Sequence, residues 1–292
     1  MMNDELIKDK IMARKKDLSK ETTLVVPQTV NEVPSFMQDE EVTGVEDLKQ
    51  YITPPFIKLI QKQASDELLK EFSKGDIVLS PSKAIIAEMP LDKKGRQIEG
   101  EMPSFMFTPL LFYVEWATWN SIKLKGTEPT IVYRTIDEND PIVAKARNPK
   151  LRAEPHPNYP DDRKYDRHNV EHLNFLISLR DHPLGSDPII LSFSKGNWFA
   201  GSRFASLISM RKAALYGCVF QATLALRPNP SGDYYGLDIS NPDDGNSWVS
   251  EEEYEVFKEK HLELKRFHDK ALIRASYEPD QDPSERPATE DF

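Results

Sequence analysis

The spacing of apolar and polar positions changes character along the chain and divides it into elements. Residues 1–50 sustain no period: a short β-like run from Thr22 to Val26 and prolines 27 and 34 interrupt them. They read as a flexible N-terminal arm with at most one short charged helix near 4–20. From Pro54-Pro55 the pattern tightens. FIKLIQ (56–61) is a short apolar run, SDELLKEF (65–72) a capped helical turn, and GDIVLSP (75–81) a strand ended by Pro81. PSFMFTPLLFYVEWATWN (103–120) is the strongest strand, rich in aromatic and branched residues, and TIVYRTID (130–137) is another. DPIVAKARN (140–148) has Asp at the N-cap and Pro at the first helical position, a good start for a short helix.

Residues 149–169 are basic, proline-rich and without period, and read as a surface loop. Beyond them come strand-like HLNFLISLR (172–180) and PIILSFS (188–194), a helix near 199–215, and VFQATLALR (219–227). The turn NPSGD (229–233) then leads into YYGLDIS (234–240), which predicts a hairpin. Ser250 with Glu253 forms a capping box for a long helix whose acids lie first and cations last, matching the macrodipole. Strands, one mid-chain helix, strands, then a helix and a tail predict a mainly β (α+β) fold. The expected form is a β-barrel or curled sheet spanning 51–248, a C-terminal helix at 249–275 and disordered termini.

Strand faces supply candidate chemistry. In 105–119, Met106, Leu110, Phe112, Val114 and Trp116 share one face, and Phe105, Phe107, Leu111, Tyr113, Glu115 and Trp119 the other. In 172–180 the apolar Leu173, Phe175, Ile177 and Leu179 oppose His172, Asn174, Ser178 and Arg180. In 219–227, Phe220, Ala222, Leu224 and Leu226 oppose Gln221, Thr223, Ala225 and Arg227. Tyr113, Trp119, Arg180 and Arg227 are thus expected to gather on polar faces, whereas Phe112 and Trp116 read as core. Rings among cations suit unpaired bases, since stacking contributes about 1–3 kcal/mol per base without reading sequence. SFSKGNWFAGSRFASLISMRK (192–212) adds Lys195, Trp198 and Arg203 as ligand-facing candidates. Arg211 falls within the apolar stripe of Phe204, Leu207, Ile208 and Leu215, so it must snorkel, pair or contact phosphate.

Charge sharpens the picture. The net charge of −10 argues against nucleic acid only until its distribution is seen. Residues 1–140 carry 18 basic and 24 acidic side chains, 141–228 carry 13 and 7, and 229–292 carry 7 and 17. A basic middle between acidic ends is what a phosphate-binding groove with an acidic competitor would give. No apolar run approaches the ~20 residues of a membrane helix, and no stretch resembles a signal peptide. The single cysteine, Cys218, sits among apolar neighbours and reads as a buried thiol. The expectation is a cytoplasmic protein without cofactor, metal or membrane partner.

Residues 276–292 hold six carboxylates against Arg286, with prolines 279, 283 and 287 among them, and should be disordered. They end in Glu290-Asp291-Phe292, where a ring with no core to enter suits a partner's pocket and the acids suit its basic rim. One enzymatic motif competes. His168-Asn169-Val170-Glu171-His172 fits H-x-x-E-H, in which two His one helical turn apart bind zinc and Glu activates water. As a strand, however, it would set the two His roughly 13 Å apart.

Several strings together resemble phage-encoded single-stranded DNA-binding proteins with an OB-type barrel and an acidic tail ending in Phe. They are GVEDLKQYITPPFIKLIQ (44–61), FTPLLFYVEWATWN (107–120), EHLNFLISL (171–179), ILSFSKGNWFAGSRFASLI (190–208), LYGCVFQATLALRPNPSGDYYGLDISNP (215–242) and the closing EDF. The resemblance implies nonspecific binding of single-stranded DNA in phage replication or recombination, without catalysis, and a tail that recruits replication and recombination proteins. A homo-oligomer is compatible with it. A zinc hydrolase using HNVEH and a phage–host interaction protein that does not bind DNA are the alternatives.

Overall fold

The branched and aromatic runs become strands as their alternation predicts. In the computed structural model these are β1 (Phe56–Leu59), β2 (Ile77–Ser80), β3 (Ile85–Ala87), β4 (Ser104–Asn120), β5 (Thr130–Thr135), β6 (Asn169–Leu179), β7 (Ile189–Phe193), β8 (Phe220–Arg227) and β9 (Tyr234–Ser240). The helices are α1 (Asp66–Glu71), α2 (Pro141–Arg147), α3 (Trp198–Met210) and α4 (Glu251–Asp269), with 3-10 turns at Lys195–Asn197 and Leu215–Gly217. The structure describes residues 54–62, 64, 66–120, 130–154, 169–183, 185, 187–228, 233–270 and 273. The N-terminal arm, His168, most of the basic loop and the tail with Glu290, Asp291 and Phe292 lie outside the described residues.

Among the described residues nine strands form one sheet, ordered β3-β2-β1-β7-β6-β4-β8-β9 with β5 also paired to β4. All pairs are antiparallel except β1 with β7. The sheet curls into a half-barrel, the barrel-like architecture expected, with more strands than the five of an OB barrel. β4 is its spine. Its pairing shifts register between Pro109 and Leu111 and again between Thr118 and Trp119, and such bulges bend a strand and increase its twist. The curl brings the segment that follows β1 against the edge strand β9. The Gln61 side-chain amide donates to the Tyr235 carbonyl at 2.9 Å and accepts from the Tyr235 N–H at 2.8 Å. Lys62 and Asp233 form an ion pair beside it at 3.2 Å.

Inside the curl lies an aromatic core. Phe107, Phe175, Phe193, Phe204 and Phe220 are almost wholly buried, with ring centroids 4.5–6.5 Å apart. Phe204 comes from α3, which closes the open side of the half-barrel. The helix lies so close to β7 that a Cβ on Gly201 would sit 2.5 Å from the Phe193 Cβ, so only glycine fits there. The outer face carries a second core, where Phe257 and Leu264 of α4 cover Leu110, Leu111, Tyr113, Leu176 and Ile190. α4 is pinned by its Ser250–Glu253 capping box, by Glu253 paired with Arg180 at 3.0 Å, and by His261 Nδ1 on the Leu110 carbonyl at 2.7 Å.

Three expectations change. The bulge at Leu110 swaps the faces of β4: Phe105 and Phe107 share the inner core with Val114, while Leu111 and Tyr113 face outward beneath α4. α3 ends at Met210 rather than 215, because Lys212 turns into left-handed backbone with φ 51°. β6 begins at Asn169, earlier than its apolar run, since Trp116 and Thr118 offer side-chain partners to Glu171 and Asn169. No described helix is long and apolar enough to cross a membrane.

Candidate nucleic-acid interface

β4 and β6 pair Trp116 with Glu171 and Glu115 with His172, so consecutive residues deliver two different environments to opposite faces. On the inner face the Glu171 carboxylate accepts the indole N–H of Trp116 and that of Trp198, each at 2.9 Å. Arg147 of α2 pairs with the same carboxylate at 3.3 Å and lays its guanidinium 5.2 Å from the Trp116 ring centre. One carboxylate therefore fixes two indoles and a guanidinium between α2 and α3. Asp140 holds α2 in place: one carboxylate oxygen caps the Ile142 N–H at 2.9 Å and the other accepts the Tyr133 hydroxyl. That bond, with burial second, pushes the Tyr133 phenol up to about 12.

On the other face, Lys195 stands in left-handed backbone (φ 51°), and its ammonium lies 4.8 Å from the Trp119 ring centre. Trp119 in turn stacks on His172 at 6.0 Å. Burial pushes the His172 imidazole down to about 3, helped by the positive charges of Lys195 and Arg134. The ring is therefore neutral, with Nδ1 3.3 Å from the Ser192 hydroxyl. The layering is cation, indole, neutral imidazole. α3 packs on the inner core, and its outer stripe of Phe199, Arg203, Ser206 and Met210 is exposed at helical spacing. Phe199 is 72% exposed and meets Trp198 edge-on at 5.5 Å.

The structure thus sets Lys195 over Trp119, and places Trp198 three residues beyond Lys195 but against Glu171 on the inner face, with Arg203 one turn further along α3. Arg227 comes near them: Gly236 of β9 lies between Asn197 and Arg227, but Arg227 is engaged by Asp238 at 2.6 Å. Arg180 does not join them. It lies nine positions beyond Glu171, about 30 Å along β6 at strand rise, between surface cavities of about 450 and 300 Å³ and paired with Glu253. Tyr113 is 4% exposed beneath α4, its ring 5.2 Å from His268, and offers no open face for stacking. Trp116, expected as core, is buried but serves the site through Glu171. Arg211 snorkels, stacking on Phe220 and Trp248.

The zinc arrangement is not what these residues adopt. Glu171 and His172 lie on a strand and face opposite ways, and Glu171 is taken by two indoles. Phe199 and Arg147 were not legible as site residues, and Glu171 only as part of a zinc motif, but for Phe199 a signal existed. Residues 188–232 contain Lys195, Arg203, Arg211, Lys212 and Arg227 and no aspartate or glutamate, in a chain with 48 acids.

Fold and site together define the class: a mixed α+β protein dominated by a curled nine-stranded sheet, with an aromatic and cationic seam where its capping helix begins. The Pam3 phage gp34-like protein family matches residues 20–267, and the chain belongs to that family, a family of phage proteins. No curated protein and no solved structure matches significantly.

Proposed function

We propose that the chain is a sequence-nonspecific single-stranded DNA-binding protein of a phage, acting in the host cytoplasm during DNA replication or recombination, with no catalytic step. The observation that carries this is the layering of Lys195 on Trp119, with Trp198 and the exposed Phe199 three and four residues beyond Lys195 in a stretch, 188–232, that is free of acids. Aromatic faces flanked by cations suit unpaired bases and their phosphates and do not distinguish one base from another. Glu171 fits this reading, because its oxygens are occupied by indole N–H groups and Arg147 and have little left for a base edge. In this reading the tail residues Glu290, Asp291 and Phe292 recruit replication or recombination proteins.

Titration of tryptophan fluorescence with oligo-dT tests the proposal. Quenching is expected, with affinity falling steeply as salt rises through counterion release. Equal, weak binding to single strands and duplex at low salt would sink it. A comparison with single-stranded RNA sets the nucleic-acid preference in the same experiment.

A further inference from the structure

The far end of α3 carries a second arrangement of aromatic and cation that the interface above does not use. Arg211, the C-cap residue, places its guanidinium carbon 4.1 Å from the Phe220 ring centre and 5.4 Å from that of Trp248. The group cannot swing, because it donates to the Ser247 carbonyl at 2.7 Å and to Asn241 Oδ1. Trp248 is held as well, its backbone bridged to Cys218. The indole nevertheless remains 52% exposed, beside an α3 terminus where Met210 is 77% exposed. Lys212 follows, exposed and in left-handed backbone. The nearby acids are partly engaged: Asp243 bonds to the Gln221 amide at 3.0 Å and Asp244 to the Asn246 N–H at 2.9 Å.

An indole on a bridged backbone, backed by a fixed guanidinium, loses less freedom when a flat group lands on it, so more of the stacking energy appears as affinity. α3 has 13 residues, which sets this end about 20 Å from the Trp198 end at helical rise. The stripe between them carries Arg203 and no acid. We propose that Trp248 is a second base-stacking subsite and that one single strand runs along α3 from Trp198–Phe199 to Trp248, with Arg203 and Lys212 meeting its phosphates. The proposal rests on the reading of Lys195–Trp119 and Trp198–Phe199 as a single-strand interface. It adds a direction and a second anchor to that reading.

The test uses the full chain, dye-labelled oligo-dT of about 4 and about 16 nucleotides, spanning the range one such barrel covers, and anisotropy as readout. Trp248→Ala should weaken the longer strand about tenfold, as loss of one stacked base implies, while Trp248→Phe, which keeps a ring, should stay within about twofold. Stacked at about 3.4 Å per nucleotide, the shorter strand covers about 14 Å, short of the distance between the anchors, so it should lose about twofold or less. Trp198→Ala should give the same pattern. Unchanged affinity of Trp248→Ala for the longer strand overturns the proposal, as does an equal loss for both lengths. A shift in sedimentation without a change in affinity also overturns it, and would assign Trp248 to contact between copies of the chain. Binding that depends on Trp198 but not Trp248 removes the second subsite alone, whereas no binding by the unaltered protein removes the interface reading itself.

Discussion

The indole N–H of Trp198 lies 2.9 Å from one oxygen of Glu171, whose other oxygen accepts the indole N–H of Trp116 at the same distance. Trp116 is 1% exposed, so its N–H has no water to turn to if the carboxylate is removed. Glu171→Ala should therefore destabilise the fold by about 1–3 kcal/mol, the range for orphaning a buried donor. Urea denaturation checks this. A loss well below 1 kcal/mol would mean that the Trp116 N–H finds another acceptor.

Gly201 predicts a packing defect that also reaches the site. A methyl group there would meet the Phe193 Cβ at 2.5 Å, and the sheet backbone behind Phe193 cannot yield cheaply. Gly201→Ala should cost about 1–3 kcal/mol through overpacking, despite alanine's better helix propensity. A thermal melt at or above that of the unaltered protein would show that α3 can lift without penalty.

Asp140 serves two partners at once. Asp140→Ala removes the α2 N-cap and should cost about 1–2 kcal/mol. It also frees the Tyr133 hydroxyl, so the phenol that the carboxylate holds near 12 should titrate nearer 10. Spectrophotometric titration reads the second effect separately from the first.

His172 predicts acid sensitivity. Its imidazole stays neutral in the fold down to about 3, whereas the unfolded chain protonates it near the usual value of 6.5. The unfolded state binds the extra proton between these values, so stability present above 6.5 is lost as pH falls toward 3. The slope is at most about 1.4 kcal/mol per pH unit from this group. His172→Gln should flatten that part of the profile. An unchanged profile would assign the acid loss to carboxylates instead.

Deleting residues 276–292 removes six acids and one base. In the proposed function the tail competes with phosphate for the same cations, so the deletion should tighten single-strand binding, most at low salt. Removal of Phe292 alone should leave DNA affinity unchanged and abolish capture of a partner protein. Weaker DNA binding by the tailless chain would make the tail part of the site or of the fold.

Much of the architecture was legible because each element advertises itself locally. The length and aromatic content of β4, the Asp140-Pro141 start of α2 and the Ser250–Glu253 box of α4 need no distant partner to be recognised. The facing of β4 was not legible in the same way. It depends on a bulge opposite β6, and Pro109, which cannot donate to a ladder, is its only local trace. The site divides similarly. Lys195 and Trp198 stand in an obviously basic, aromatic segment, but the placement of Lys195 over Trp119 depends on how β7 and β4 are arranged in the sheet, and the burial of Tyr113 on where α4 lands. Glu171 looked like half of a metal motif until its strand turned it toward two indoles.

The joint between Gln61 and Tyr235 has a mechanical consequence. Most neighbouring strands of the wall are stitched by repeated backbone bonds, but here one amide grips one residue through two bonds, with the Lys62–Asp233 ion pair beside it. At about 1 kcal/mol net for each bond, this joint is weaker than the long ladders of the wall. Such a clasp opens in a single event rather than by unzipping. When it does, β7, which carries the turn at Lys195 and backs α3, stays sewn to β6, and β6 to β4. The wall gives way on the β9 side, and the ladder that holds Trp119 keeps its place.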